Sequence, residues 1–124
     1  MLVYRVENKF GGGAYENSIL LDMLIVYPDN ENQHIPPLQD KILRDKWRAL
    51  EDQSDYYFGF NSVSQYLNWF DSKAGRTQAT TGGTGYLKVY GVAKIFVRTG
   101  SKQVVFKKSC ADLVETLPLN YYDL

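Results

Sequence analysis

Across the fifteen residues from Tyr56 to Phe70 the hydrophobic period of the chain changes, and that change narrows the fold classes open to it. Tyr56-Tyr57-Phe58-Gly59-Phe60 reads as a short strand, because aromatic side chains fit a pleated, half-buried surface. Ser62 and Gln65 then have the spacing of a capping box, the signature of a helix start. Val63, Tyr66, Leu67 and Phe70 follow at steps of three and four, and Gly75 is a suitable terminator. Strand and helix therefore meet within one small core, which sets the fold class as α+β.

The flanking segments extend that reading. Leu2 to Glu7 alternates as an opening strand, and Gly11-Gly12-Gly13 frees the backbone for a turn. Ser18 to Tyr27 is a short apolar run that suits a buried helix or a buried strand, with Asn17 or Ser18 as a possible N-cap favouring helix. Pro28 to Pro37 reads as a loop. A helix is expected from about Leu38 to Leu50, with Leu38, Ile42, Leu43, Trp47 and Leu50 along one side. Arg76 to Gly85, rich in Gly and Thr, reads as a mobile loop. Tyr86–Tyr90, Ala93–Arg98 and Gln103–Lys107 read as strands, the last two joined by a turn at 99–102. Ser109 is placed to cap a short helix through Glu115, in which Cys110 would be buried. The expected whole is a single α+β domain over 1–119, with a largely antiparallel sheet and two or three helices. Residues 120–124 form a tail that is either docked by its tyrosines or frayed.

Composition bounds the function classes. The chain has 124 residues, one cysteine and one histidine, so neither an internal disulfide nor a histidine-rich metal site is available to it. No apolar stretch approaches the roughly 20 residues of a membrane span, and the first residues lack the order of a signal peptide. The expectation is a soluble, cytoplasmic protein without a metal. Aromatics are 15% of the residues, which suits both a small core and a binding surface. The zero net charge conceals a division: residues 72–111 hold eight basic and no acidic side chains, leaving six basic and fourteen acidic elsewhere. Either one face meets an anionic partner, or the two kinds of segment neutralise one another in the fold. Lys94, Arg98, Lys102, Lys107 and Lys108 are the candidate partner-binding residues. Tyr90 and Phe96 lie among these lysines, which permits nucleic-acid stacking, although a pI near 6.6 argues against general affinity for DNA.

Other candidates lie at strand ends and loops. Gly82-Gly83-Thr84-Gly85 lacks the Lys-Ser/Thr ending of a phosphate-binding loop. Arg5, in mid-strand, either points to solvent or lines a cleft suited to a phosphate. Ser62 and Gln103 stand at a helix start and a strand start, where donors converge on anions.

Tyr4-Arg5-Val6-Glu7, Gly13-Ala14-Tyr15, His34-x-Pro36-x-x-x-Asp40, Phe58-Gly59-Phe60-x-Ser62, Trp69-Phe70, Gly85-Tyr86 and Gln103-Val104-Val105-Phe106 with Ala111 together resemble a set of small phage and prophage proteins. That resemblance covers nearly the whole chain and implies no particular activity. More distantly, the layout resembles the ADP-ribosyltransferase-type fold. The resemblance implies NAD as cofactor, with Arg5, Ser62 and Gln103 as the catalytic positions and His34 and Tyr57 as further pocket residues beside Arg5 and Ser62. Gln103 stands where that superfamily needs a glutamate, and a neutral amide cannot stabilise a developing cation in the same way. The resemblance thus implies a phage protein acting in the host cytoplasm that binds NAD or a related nucleotide and modifies or inhibits a host defence factor. The alternative is a non-enzymatic inhibitor that covers a host protein surface, its basic 72–111 face contacting an acidic partner or displacing nucleic acid.

Overall fold

A computed structural model describes residues 1–13, Leu24 and residues 41–123. Among them are β1 (Leu2–Asn8), α1 (Lys41–Arg48), β2 (Tyr56–Gly59), α2 (Val63–Trp69), α3 (Lys73–Gly82), β3 (Gly85–Val92), β4 (Val97–Thr99), β5 (Val104–Lys107) and β6 (Ala111–Leu117). The chain is an α+β domain of two antiparallel three-stranded sheets, ordered β1-β3-β6 and β2-β5-β4.

The sheets meet where β1 passes β2. Tyr4 and Phe60 exchange backbone hydrogen bonds of 2.7 Å in both directions. Gly59 makes that approach possible, because a Cβ there would lie 2.8 Å from the Tyr4 carbonyl and 2.9 Å from Val3 Cγ1. From this seam the strands run β6-β3-β1 one way and β2-β5-β4 the other.

Because strand side chains alternate, β1 divides its residues between two cores. Val6 joins Leu87, Phe60, Tyr66, Trp69, Phe70 and Ala79, where the α2 aromatics pack on one face. Val3 joins Tyr90, Val92, Val97, Val104 and Phe106, filling the space between the sheets. Arg5 and Glu7 share the parity of Val3, so two charged side chains point between the sheets. Phe60 anchors the first core with ring contacts to Tyr66, Trp69 and Phe70 at centroid separations of 5.8–6.2 Å.

The helix start at Ser62 forms as its spacing predicts. Ser62 Oγ accepts from the Gln65 N–H at 3.1 Å, and Gln65 Oε1 accepts from the Asn61 N–H at 3.0 Å. The turn after β1 also forms: Gly11 has φ of 88°, and Asn8 Oδ1 accepts from the Phe10 N–H at 2.8 Å.

Four local expectations are corrected. Of the residues 76–85 expected as a loop, 76–82 are helical because α3 runs through them, and only Gly83-Thr84 connect it to β3. Ser72 caps it by accepting from the Gly75 N–H at 3.0 Å, and Gly83 closes it at φ 62°. Gly75 therefore lies inside a helix start and terminates nothing. Buried Arg76 and Ala79 tie α3 to the interior, and that packing overrides the weak helix propensity of Gly and Thr. The helix expected after Ser109 is instead β6, which pairs with β3; Cys110 stands exposed in the turn before it. The strand expected over 93–98 is split by a one-turn 3₁₀ segment at Lys94–Phe96, leaving only Val97–Thr99 paired with β5. In α1 Leu43 is buried but Ile42 is exposed, so the apolar stripe is narrower than its sequence suggests.

The segment from Leu119 to Asp123 is docked. Tyr66 Oη donates to the Leu119 carbonyl at 2.6 Å, and Arg76 holds Asp123 through two nitrogens at 2.6 and 2.8 Å. Tyr122 meets Tyr4 edge to face at 6.3 Å. Apart from Leu24, which is buried in the first core, the expectations for 18–27 lie outside the described residues, as do those for 28–37, Leu38 and His34.

Candidate functional site

Two groups of charged side chains compete for a functional role. The first lies between the sheets. Arg5 is 6% exposed; one guanidinium nitrogen donates to the Phe58 carbonyl at 2.8 Å, and Nε is 3.5 Å from Glu7 Oε2. Tyr90 Oη donates to the same carboxylate oxygen at 2.5 Å, and Lys108 Nζ lies 3.8 Å from it. Burial, and then the hydrogen bond to Glu7, push the Tyr90 phenol above its ordinary range. Two cations lie near the Tyr57 ring, the Arg5 guanidinium carbon 4.9 Å and Lys108 Nζ 5.1 Å from its centroid. Gly13 lies over Arg5, since a Cβ there would come within 2.9 Å of its guanidinium.

Of the residues expected to hold NAD, Arg5 and Tyr57 are therefore neighbours. Arg5 is turned inward and engaged by the protein's own carbonyl and carboxylate. Tyr57 reaches solvent, at 39% exposure. Ser62 serves as the α2 cap. Gln103 is fully buried just before β5, its carbonyl accepting from the Gly100 N–H at 2.8 Å. In the β2–β5 register Gly59 faces Val104 and Tyr56 faces Lys107, so Gln103 and Ser62 extend from one end of the pair while Lys107 and Lys108 extend from the other. Glu7, central to this cluster, was missed as a candidate; a carboxylate two residues from Arg5 on the same strand face was the available signal, while Tyr90, expected to be placed for nucleic-acid stacking, is buried at 6% exposure.

The second group is the basic segment, which the fold divides. Arg76 pairs with Asp123, Lys107 with Asp52 at 2.6 Å, and Lys108 with Glu7. The Asp52–Lys107 hydrogen bond lowers the carboxyl pKa and raises that of the amine. The charge-neutralising arrangement thus accounts for these three. Lys94, Arg98 and Lys102 have no acidic partner within 4 Å among the described residues. Lys94 and Arg98 lie beside Ile95, which is 71% exposed in the 3₁₀ turn, and Lys102 lies in the turn at the other end of β4. Arg98 donates to the Ile95 carbonyl at 2.6 Å, which fixes its base beside that residue. The structure adds Lys46 of α1, whose Nζ donates to the Thr99 carbonyl at 2.8 Å. Only the packing of α1 on β4 brings Lys46 here, so no local pattern announces it. Lys102 also borders a small open depression of about 110 Å³ lined by Gln65, Asn68, Trp69 and Ser101. That volume is below the roughly 300–1,000 Å³ of a small-molecule pocket.

Among the described residues no group of three or more His, Cys, Asp and Glu is placed to hold a metal ion. Among the described residues no helix is long and apolar enough to cross a membrane. A family model described as "Bacteriophage T4 Y00F protein" matches residues 1–120. No curated protein and no solved structure matches the chain.

Proposed function

We propose, for a chain that belongs to the bacteriophage T4 Y00F protein family, a host-interaction role exercised by binding: the basic face of Lys94, Arg98 and Lys102, joined by Lys46, meets an acidic surface on a host protein. One observation carries the reading. These four cations lie along the 94–102 segment and the helix packed on it, with Lys94 and Arg98 beside exposed Ile95, and have no acidic partner among the described residues, whereas Arg76, Lys107 and Lys108 are paired. Unpaired charge steers encounter, and an exposed apolar side chain beside part of it supplies a contact that excludes water. Inhibition of a host factor, including a defence factor, would follow from covering its surface.

The test is capture from a lysate of the phage's host with wild-type protein and with Lys94→Glu/Arg98→Glu/Lys102→Glu. A captured protein that is acidic, is released by salt and is lost with the triple variant supports the reading. Equal capture by both proteins contradicts it.

A second reading, binding of NAD or a related nucleotide, is favoured by Tyr57 and Lys108, an exposed ring beside a half-buried cation. A base on the exposed part of Tyr57 and a phosphate on Lys108 would use groups other than Arg5. A melting temperature raised by millimolar NAD, with the rise lost in Lys108→Ala, would select it.

A further inference from the structure

The two outer strands of the sheet system are protected very differently. β4 has three residues, packs against α1, and has the Thr99 carbonyl taken by Lys46. β6 has seven residues, pairs only with β3 among the described strands, and has no described residue hydrogen-bonded along its outer edge. Its five central residues, Asp112 to Thr116, are all exposed, although β3 beside it is mostly buried. Leu113 and Val114 are 53% and 56% exposed. A long edge strand with bare backbone donors and acceptors and apolar side chains is a template for another strand.

We infer that β6 is a docking edge for an extended, basic segment of a partner protein, which adds to the sheet as a fourth strand beside β6. The charge of the edge selects that occupant. Asp112 and Glu115 have no cation within 4 Å among the described residues, so the strand presents two carboxylates beside Leu113 and Val114. A segment alternating Lys or Arg with apolar residues satisfies both sets at the cross-strand positions. A second copy of β6 does not, because self-pairing aligns four carboxylates along one short ribbon, and like charges across strands are unfavourable. The β-bulge also opposes a flat self-assembled ribbon. Val89 pairs with Glu115 and Tyr90 with Leu113, so Val114 is an extra residue that twists the edge. This surface is acidic and separate from the basic face, and the inference does not rest on that reading.

The experiment uses full-length protein labelled with nitrogen-15 and an acetylated, amidated heptapeptide alternating lysine and valine. Saturable binding is expected, with amide shifts concentrated at 111–117. Methylating the peptide's backbone nitrogens along one edge keeps its charge while removing the donors, and weakens binding at least tenfold. Asp112→Lys/Glu115→Lys, two exposed changes checked for an unchanged melting temperature, also weakens it at least tenfold. Binding by the methylated peptide equal to that of the parent overturns the strand-addition mechanism. Absence of binding overturns the proposal, and so does concentration-dependent dimerisation of the free protein that the double substitution abolishes, since the occupant is then a second copy.

Discussion

Basic side chains inside this molecule and those on its surface follow opposite rules. Arg5 and Arg76 are buried, and each donates to a backbone carbonyl and pairs with a carboxylate: Phe58 and Glu7 for one, Phe70 and Asp123 for the other. Lys94, Arg98 and Lys102 come from the same acid-free stretch as Arg76, yet no acid answers them among the described residues. Burial of an unpaired charge is prohibitive, so the interior set had to be paired for the chain to fold. Exposure lets the outer set remain unpaired, and such charge is free for a partner. A segment's formal charge thus says little about function until the fold has allotted the counter-charges.

That contrast yields stability predictions of decreasing size. Arg76→Ala leaves Asp123 and the Phe70 carbonyl without their donor, and should destabilise the protein by about 3–5 kcal/mol. The melting temperature, followed by circular dichroism, should fall by roughly 10 °C or more. Arg5→Ala should cost about 2–3 kcal/mol, less because Glu7 keeps Tyr90 and Lys108. A nucleotide-gripping Arg5 predicts the reverse, an intact melting temperature with ligand binding lost.

Alkaline pH tests the same interior chemistry. The pKa of Tyr66 is raised by its burial, and that of Tyr90 by burial and then by Glu7. A raised folded-state pKa contributes stability that is fully present below the unfolded value near 10 and is lost as pH rises through the folded value. Stability should therefore fall as pH rises above about 10, and Tyr90→Phe should make that fall shallower in pH-dependent urea titrations. Ser62→Ala should remove about 1 kcal/mol, the ordinary worth of an N-cap, and lower the melting temperature by a few degrees. Reversing Lys94, Arg98 and Lys102 should change stability least, within about 0.5 kcal/mol per site, as surface positions do.

Much of the fold was legible because local signals and tertiary packing agree. The Ser62–Gln65 cap, the strand before it and the alternation of β1 each express a short-range preference that the core also rewards. Legibility failed where packing overruled composition. Residues 76–82 look like a loop, but burial of Arg76 against Asp123, 47 positions away, makes them helical. Ser109 looks like a helix cap, but its hydroxyl is hydrogen-bonded to Asp55, and the following residues pair with β3. At the candidate sites the sequence exposed the acid-free stretch but not its division. Asp52, Glu7 and Asp123 are remote from their partners in the chain, as Lys46 is from Thr99. Arg5 drew attention as a charge in mid-strand; its inward direction depended on a second sheet crossing at Gly59.

The central claim is that unpaired surface cations mark the working face, and it is tested most directly by quantitative capture from host lysate on immobilised wild-type and triple-reversed protein of equal melting temperature. The account predicts one acidic host protein retained by the wild type, eluted by raised salt and absent from the variant. The same protein retained equally by both, undiminished by salt, would contradict it.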